Sequence, residues 1–397
     1  MKYSYAVNIK YKHCDIAICI PSKNEKSTIA SVTSTIDRGL NQHYPEVNCV
    51  IINIDSHSND GTQKLFLDTP TRCKKVSLLS SKQSYTGKGI NLHQFLTIAS
   101  NMGVKCGVVI DADLESIAEG WIPNLIEPIL LKNADFVAPL YSRHKYDATI
   151  TNHLCVPIIF GEWGTAIRQP IGGEFSFSQK YIQSALNALN EIHSQESNLS
   201  AAVDRFGIDI FLTTHAIANN FEIYQSYLGQ KVHRFREIRE LRGMFLDVSF
   251  TLFQVISMYR GITKKHDLLY SPQEATPPLE SDLCIEPSEL CTLIASEVAA
   301  LSTNSLSQYC RLIDLMQPNR PTHNNRGAIL AITMQEWVVI LKYFLNRCLH
   351  NLHSQDLIEA LYPLFLARLV DHFSIIANLK YVNAEFIVQE QMKLMRD

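Results

Sequence analysis

The chain has 397 residues, 46% of them in the hydrophobic set and 19% charged, with 36 Lys and Arg against 39 Asp and Glu for a formal net charge of −3. That composition supports a large core, one sizeable catalytic domain and a smaller one, and the near-balance of charge gives no field for gathering nucleic acid. Ten scattered cysteines, none in a paired zinc spacing, read as reduced thiols of a cytoplasmic protein, although ten also leaves room for a few disulfides.

From the N-terminus onward, Asn8, Lys10, Lys12, His13 and Asp15 interrupt any apolar leader, and no stretch reaches the roughly 18 apolar residues of a membrane span. Apolar strands are expected at 15–20, 49–54, 75–79, 107–110 and 136–139. Helical patterns at 25–36, 62–67, 89–100 and 121–131 alternate with them. Continuous apolar strands alternating with helices predict an α/β fold, a mostly parallel twisted sheet flanked by helices on both faces. A further strand is expected at 175–178, a helix start near Asp209, and a strand-like run at 221–224 before a turn at Gly229. Four prolines at 272–287 mark a linker. Beyond it the apolar spacing predicts a helical C-terminal subdomain, with helices at 290–314, 333–350, 354–366 and 370–390, the third ended or kinked by Pro363. The expected division is therefore 1–260 for the catalytic domain, its donor-binding half at 1–138 and acceptor-binding half at 139–260, and 261–397 for linker and helices. The Leu-rich surface at 352–369 reads as a core face or a homodimer seam.

The chemistry centres on Val108-Val109-Ile110-Asp111-Ala112-Asp113, where an apolar strand delivers two carboxylates to the carboxyl edge of the sheet, the edge where open α/β folds hold ligands. Hard oxygens at that spacing suit Mg²⁺ or Mn²⁺, which would neutralise a diphosphate leaving group. Alternatively they cap a solvated turn. Gly87-Lys88-Gly89, at the start of the preceding helix, offers close approach and a cation to a phosphate. Asp55, at the end of the second strand, is placed to bind a nucleobase or ribose. Gly172 and Gly173 suit a backbone passing under a sugar ring, with Glu174 accepting from hydroxyls, or else a tight turn before a strand. Asp209, between Ile208 and Ile210, needs a partner because an unpaired carboxylate is costly in an apolar setting. Arg234 can face phosphates. No Gly-x-Gly-x-x-Gly follows the first strand, where Pro21-Ser22-Lys23-Asn24-Glu25 stands instead. This disfavours a nicotinamide or flavin enzyme, and a nucleotidyltransferase lacks its usual phosphate loop.

In chain order, Pro21 to Glu25, Gly87-Lys88-Gly89, Asp111-Ala112-Asp113, Gln169 to Glu174, Gly207-Ile208-Asp209 and His233-Arg234 resemble mannosylglycerate synthase and the related GT-A glucosyl- and mannosyl-(phospho)glycerate synthases. The resemblance implies the GT-A (nucleotide-diphospho-sugar transferase) fold and a retaining, metal-dependent hexosyl transfer. The donor would be GDP-mannose or UDP- or GDP-glucose, the acceptor a small hydroxy acid such as D-glycerate. It implies Asp113 as principal metal ligand with Asp111 beside it and His233 as a further ligand. Pro21, Lys23, Glu25, Asp55, Lys88, Ala112, Gly172 and Gly173 would line the donor, with Asp209 and Glu174 near the hexose. Arg143, Asp147 and Thr151 would grip the acceptor together with Arg234. Where the phosphoglycerate-using relatives follow His-Arg with Asn, this chain has Phe235, which tilts the acceptor away from 3-phosphoglycerate. Thr151-Asn152-His153-Leu154 leans toward it. Two alternatives stand beside the hydroxy-acid reading: 3-phosphoglycerate as acceptor, and a catalytically inactive module that binds a sugar nucleotide.

Overall fold

A computed structural model describes residues 13–81, 87–195, 197–232, 238–259, 261, 268–270, 287–316, 328–348, 355–379 and 381–396. The proline-rich stretch at 271–286, with Pro318 and Pro321, lies outside the described residues. The first half reads β1 (Ile16–Ser22), α1 (Ile29–His43), β2 (Cys49–Asp55), α2 (Thr62–Asp68), β3 (Lys74–Leu79), α3 (Lys88–Met102), β4 (Cys106–Val109), α4 (Trp121–Leu131) and β5 (Phe136–Ser142). A π-helical turn (Thr151–Cys155) and α5 (Val156–Trp163) follow, then β6 (Phe175–Ser178), α6 (Gln179–Ser194), α7 (Asn198–Asp204), α8 (Gly207–Ala218) and β7 (Ile223–Gln230). A 3₁₀ turn (Ile238–Leu241) leads into α9 (Arg242–Met258), and β8 (Leu269–Tyr270) closes the sheet. The remainder is helical: α10 (Pro287–Ala300), α11 (Thr303–Met316), α12 (Met334–Cys348), α13 (Gln355–Ile376) and α14 (Tyr381–Leu394).

The eight strands form one sheet in the order β3-β2-β1-β4-β6-β5-β7-β8. β1, β2, β3 and β4 run parallel, as do β5, β7 and β8, and β6 is antiparallel to both its neighbours. The expected mostly parallel sheet is thus present, with one reversed strand at its centre. Every residue of β1, β2, β4 and β5 is buried, because helices cover both faces and leave no solvated side for polar alternation. Helix α1 turns Ile29, Val32, Ile36 and Leu40 onto the sheet, a three-and-four spacing that joins them to Ile16, Ile18, Ile51, Val108 and Ile122 in one apolar cluster.

The chain folds as two compact units. One comprises Met1–Ser142, Gln169–Phe235 and His266–Thr276 and contains the sheet; the other comprises Arg143–Arg168, Arg236–Lys265 and Pro277–Asp397 and is helical. The division is therefore discontinuous where a single boundary near residue 260 was expected, because 143–168 and 236–265 group with the C-terminal helices. Within the helical unit α13 packs on α9, α10 and α11. Pro363 lies inside α13 and does not end it. Burial of Leu361, Leu364, Phe365 and Leu369 around it outweighs the missing backbone donor, a cost of about 3 kcal/mol in an isolated helix. The single helix expected at 290–314 is two, α10 and α11, separated at Leu301-Ser302, where Ser302 Oγ accepts from the Ser305 amide at 3.0 Å as an N-cap.

Among the described residues one helical stretch, Ile238–Met258, is long and apolar enough to cross a membrane, at mean hydropathy 1.2. Half of it is buried within the protein, where Phe245 stacks on Phe365 of α13 and Phe253 meets Phe344 of α12, the position of a core helix. The eight cysteines whose side chains are described are free thiols, five of them in the core.

Candidate active site

The parallel strands β1, β2 and β4 end side by side. Ser22 pairs with Asp55 and Cys19 with Val109, and the Ile110 amide still donates to the Cys19 carbonyl at 2.9 Å before the chain leaves the sheet at Asp111. Ile110, Ala112 and Leu114 are buried, and this alternation leaves Asp111 and Asp113 partly exposed in the turn.

Lys88, the first residue of α3, reaches the same place. Its Nζ stands 2.9 Å from Asp111 Oδ1 and 2.9 Å from Asp209 Oδ2, the latter in the first turn of α8. Burial alone would favour the neutral amine. The two carboxylates, Asp111 foremost, outweigh it and hold the ammonium well above its usual range. Asp209 shows the converse: burial pushes its carboxyl up against the pull of Lys88. Its Oδ1 is buried and has no hydrogen-bond partner among the described residues.

The flanking glycines have a structural cause that the sequence did not reveal. A Cβ on Gly89 would lie 1.8 Å from the Val203 carbonyl oxygen, and one on Gly87 2.3 Å from that of Asp204, so the glycines make room for the end of α7. Gly89→Ala is expected to destabilise the protein by about 1–3 kcal/mol, because the obstacle is backbone and cannot rotate away. Urea unfolding checks this, and an unchanged midpoint would contradict it.

A second cation enters from β7. The antiparallel direction of β6 puts Val109 opposite Phe175, so the turn preceding β6 lies beside the turn following β4. Gly173 (φ +96°) fills the contact: a Cβ there would stand 2.1 Å from Asp111 Oδ2. Gly172 fits against Pro139, whose Cγ would be 2.3 Å from an added Cβ. Lys231 follows β7, its amide donating to the Ser142 carbonyl at 3.1 Å. Its Nζ donates to Gly172 O at 2.7 Å and to Glu174 Oε2 at 2.8 Å and Oε1 at 3.0 Å, and lies 3.7 Å from Asp111 Oδ2. The Tyr141 hydroxyl also donates to Glu174 Oε2, with the Lys231 ammonium 5.2 Å from the Tyr141 ring centre. Glu174 is wholly buried, and burial raises its carboxyl against the pull of Lys231. Expected to receive sugar hydroxyls, it is instead enclosed by Lys231 and Tyr141, neither of which the sequence reading gave a role. The available signal was a lysine closing an apolar strand, since a buried ammonium must find an anion.

Other expected donor residues are held by neighbouring loops. Pro21 is buried in β1, Lys23 is exposed, and the Glu25 amide donates to Thr62 Oγ1 at 2.9 Å. Asp55 is buried and accepts from Ser22 Oγ at 3.0 Å and the Ser58 amide at 2.7 Å, which engages both carboxylate oxygens in shaping the strand-end loop. In the helical unit Arg143 Nη1 pairs with Asp147 Oδ2 at 3.0 Å, and Thr151, 3% exposed, opens the π turn. Lys145 caps α13, donating to the carbonyls of Ile376 (3.0 Å), Ala377 (2.8 Å) and Leu379 (3.2 Å). His233 and Arg234 lie outside the described residues.

Around Asp111, the ammonium groups of Lys88 and Lys231 stand among the carboxylates of Asp111, Asp209 and Glu174. Among the described residues no three His, Cys, Asp or Glu side chains cluster as a metal site. Asp111 and Asp113 nevertheless supply hard oxygens at a partly open turn, a donor set that fits a divalent cation completed by ligand oxygens and a further protein group.

Residues 17–183 match the family described as glycosyl transferase family 2. The match takes in Lys88, Asp111, Asp113 and Glu174 and stops short of Asp209 and Lys231. Among solved structures, the glucosyl-3-phosphoglycerate synthase of Mycobacterium tuberculosis, in complex with Mn²⁺, uridine-diphosphate-glucose and phosphoglyceric acid, is 23% identical, covering 68% of this chain and 84% of that one at a TM-score of 0.48. The mannosyl-3-phosphoglycerate synthase of Rubrobacter xylanophilus is 20% identical, covering 62% and 74%, also at 0.48. No curated protein sequence matches the chain. The sheet with its strand-end carboxylates fits the expected GT-A fold, and the family match is confined to residues 17–183.

Proposed function

We propose that this protein is a divalent-cation-dependent, retaining glycosyltransferase that moves a hexose from a nucleotide diphosphate to a small hydroxy acid such as D-glycerate, with 3-phosphoglycerate as the alternative acceptor. The observation that carries the reading is the pair of carboxylates at the end of β4, where Asp111 is held between Lys88 and Lys231 and Asp113 stands partly exposed in the same turn. A diphosphate is repelled by such a turn unless a cation lies between them. Asp113, Asp111 and His233 would hold Mg²⁺ or Mn²⁺, which when bound neutralises the diphosphate leaving group.

The chain's own residues do the rest. Asp209 Oδ1, a buried acceptor with no partner among the described residues, awaits a donor, and a hexose hydroxyl supplies one. Lys88 ties Asp209 and Asp111 together and fixes their positions. Glu174, Lys231 and Tyr141 set the Gly172-Gly173 turn against Asp111 and act as positioning groups. Arg143, Asp147 and Thr151 recognise the acceptor carboxylate and hydroxyls. Front-side attack, with the departing phosphate taking the acceptor proton, fits a site without a nucleophile and acid pair of the kind retaining hydrolases use.

The test is a matrix of UDP-glucose, GDP-glucose and GDP-mannose against D-glycerate and 3-phosphoglycerate, with Mn²⁺ or Mg²⁺, read by nucleotide diphosphate release and product mass. GDP-mannose with D-glycerate is the expected productive pair. Nucleotide binding with no donor consumed in any cell would favour the inactive binding module.

A further inference from the structure

The π turn at Thr151–Cys155 has a cause in the sequence and braces from afar. Its defining bond runs from the Val156 amide to the Thr151 carbonyl, one residue beyond α-helical spacing. Pro157 follows, without an amide hydrogen. In α-helical register an amide at 157 would serve the His153 carbonyl, and in π register that of Asn152; Pro157 can serve neither. Two side chains from the C-terminal helices fill the gap. Trp337 of α12 donates from Nε1 to the His153 carbonyl at 2.6 Å, and Gln391 of α14 donates from Nε2 to the Asn152 carbonyl at 3.2 Å. Gln391 Oε1 also faces His153 Nδ1 and Arg368 Nε, each at 3.3 Å. Trp337 and Arg368 are wholly buried and Gln391 is 1% exposed, so water does not compete for these carbonyls.

We infer that Trp337 and Gln391 are positioning residues for acceptor recognition, holding open the π turn whose first residue is Thr151. The inference rests on the proposed acceptor role of Arg143, Asp147 and Thr151. Those three residues and both braces belong to the helical unit. The segment between Asp147 and the turn is tightly set: Ala148 takes a left-handed φ of +56°, the Ala148 amide donates to Asp147 Oδ1 at 2.7 Å, and the Asn152 amide donates to the Ala148 carbonyl at 2.8 Å. A turn that loses a brace is left with a buried carbonyl unsatisfied and shifts toward a tighter register. That shift moves Thr151 relative to Asp147 within the helical unit, whereas the strand-end carboxylates belong to the sheet unit.

The experiment compares Trp337→Phe and Gln391→Leu with wild type in steady-state transfer, using the donor that wild type consumes, together with calorimetric binding of the nucleotide diphosphate with Mn²⁺. Each variant is expected to raise the KM for acceptor by about tenfold, with donor KM and nucleotide affinity within about twofold of wild type. Should Trp337→Phe not fold, Gln391→Leu carries the test alone, since it removes an amide and keeps the apolar bulk. An unchanged acceptor KM in the folded variants, or equal losses in donor and acceptor terms, would overturn the inference. A wild-type protein that consumes no sugar nucleotide with any acceptor refutes the proposed function itself, and with it the acceptor role on which the inference depends.

Discussion

Replacing Lys231 by Met is expected to destabilise the sheet unit by about 3–5 kcal/mol, the cost of stranding one member of a buried ion pair. Glu174 has no access to water, and among the described residues the Tyr141 hydroxyl is the side-chain donor that would remain. The Gly172 carbonyl would lose its ammonium donor as well. Combining Lys231→Met with Glu174→Gln should recover part of the loss, because the stranded charge disappears. Urea unfolding of the two variants decides this. A single variant as stable as wild type, or a double variant no more stable than Lys231→Met, would show that the pair is not the brace described.

The second large effect concerns activity. Asp113→Ala should lower transfer by about a thousandfold or more, since it removes the carboxylate that answers the leaving diphosphate through the cation. Stability should change little, because Asp113 lies in a partly open turn. Turnover within tenfold of wild type would remove Asp113 from the metal site. Unlike Lys231→Met, this variant is expected to unfold like wild type, so the two separate loss of chemistry from loss of structure.

Much of the sheet was legible because β1, β2 and β4 are apolar strands spaced by helical patterns, and burial on both faces writes that signal directly into the sequence. The direction of β6 was not legible. Four residues, Phe175–Ser178, specify a strand, but only tertiary pairing with β4 and β5 makes it antiparallel. Lys88, Asp111 and Asp209 could be singled out singly, since charged residues in apolar runs need partners, and the structure joins them through one ammonium group. Lys231, Glu174 and Tyr141 come together only once β6, β5 and β7 are known to be neighbours. The break between α13 and α14 was equally hidden, for its C-cap includes Lys145, 231 residues before Ile376 in the chain.

The most direct test of the central claim is a crystal structure of the protein grown with Mn²⁺ and a nucleotide diphosphate, with anomalous scattering recorded to locate manganese. The account predicts one anomalous peak bonded to an Asp113 carboxylate oxygen at the end of β4, in contact with the diphosphate. Manganese and nucleotide bound away from Asp111 and Asp113, or a nucleotide at that edge whose affinity is indifferent to the cation, would contradict it.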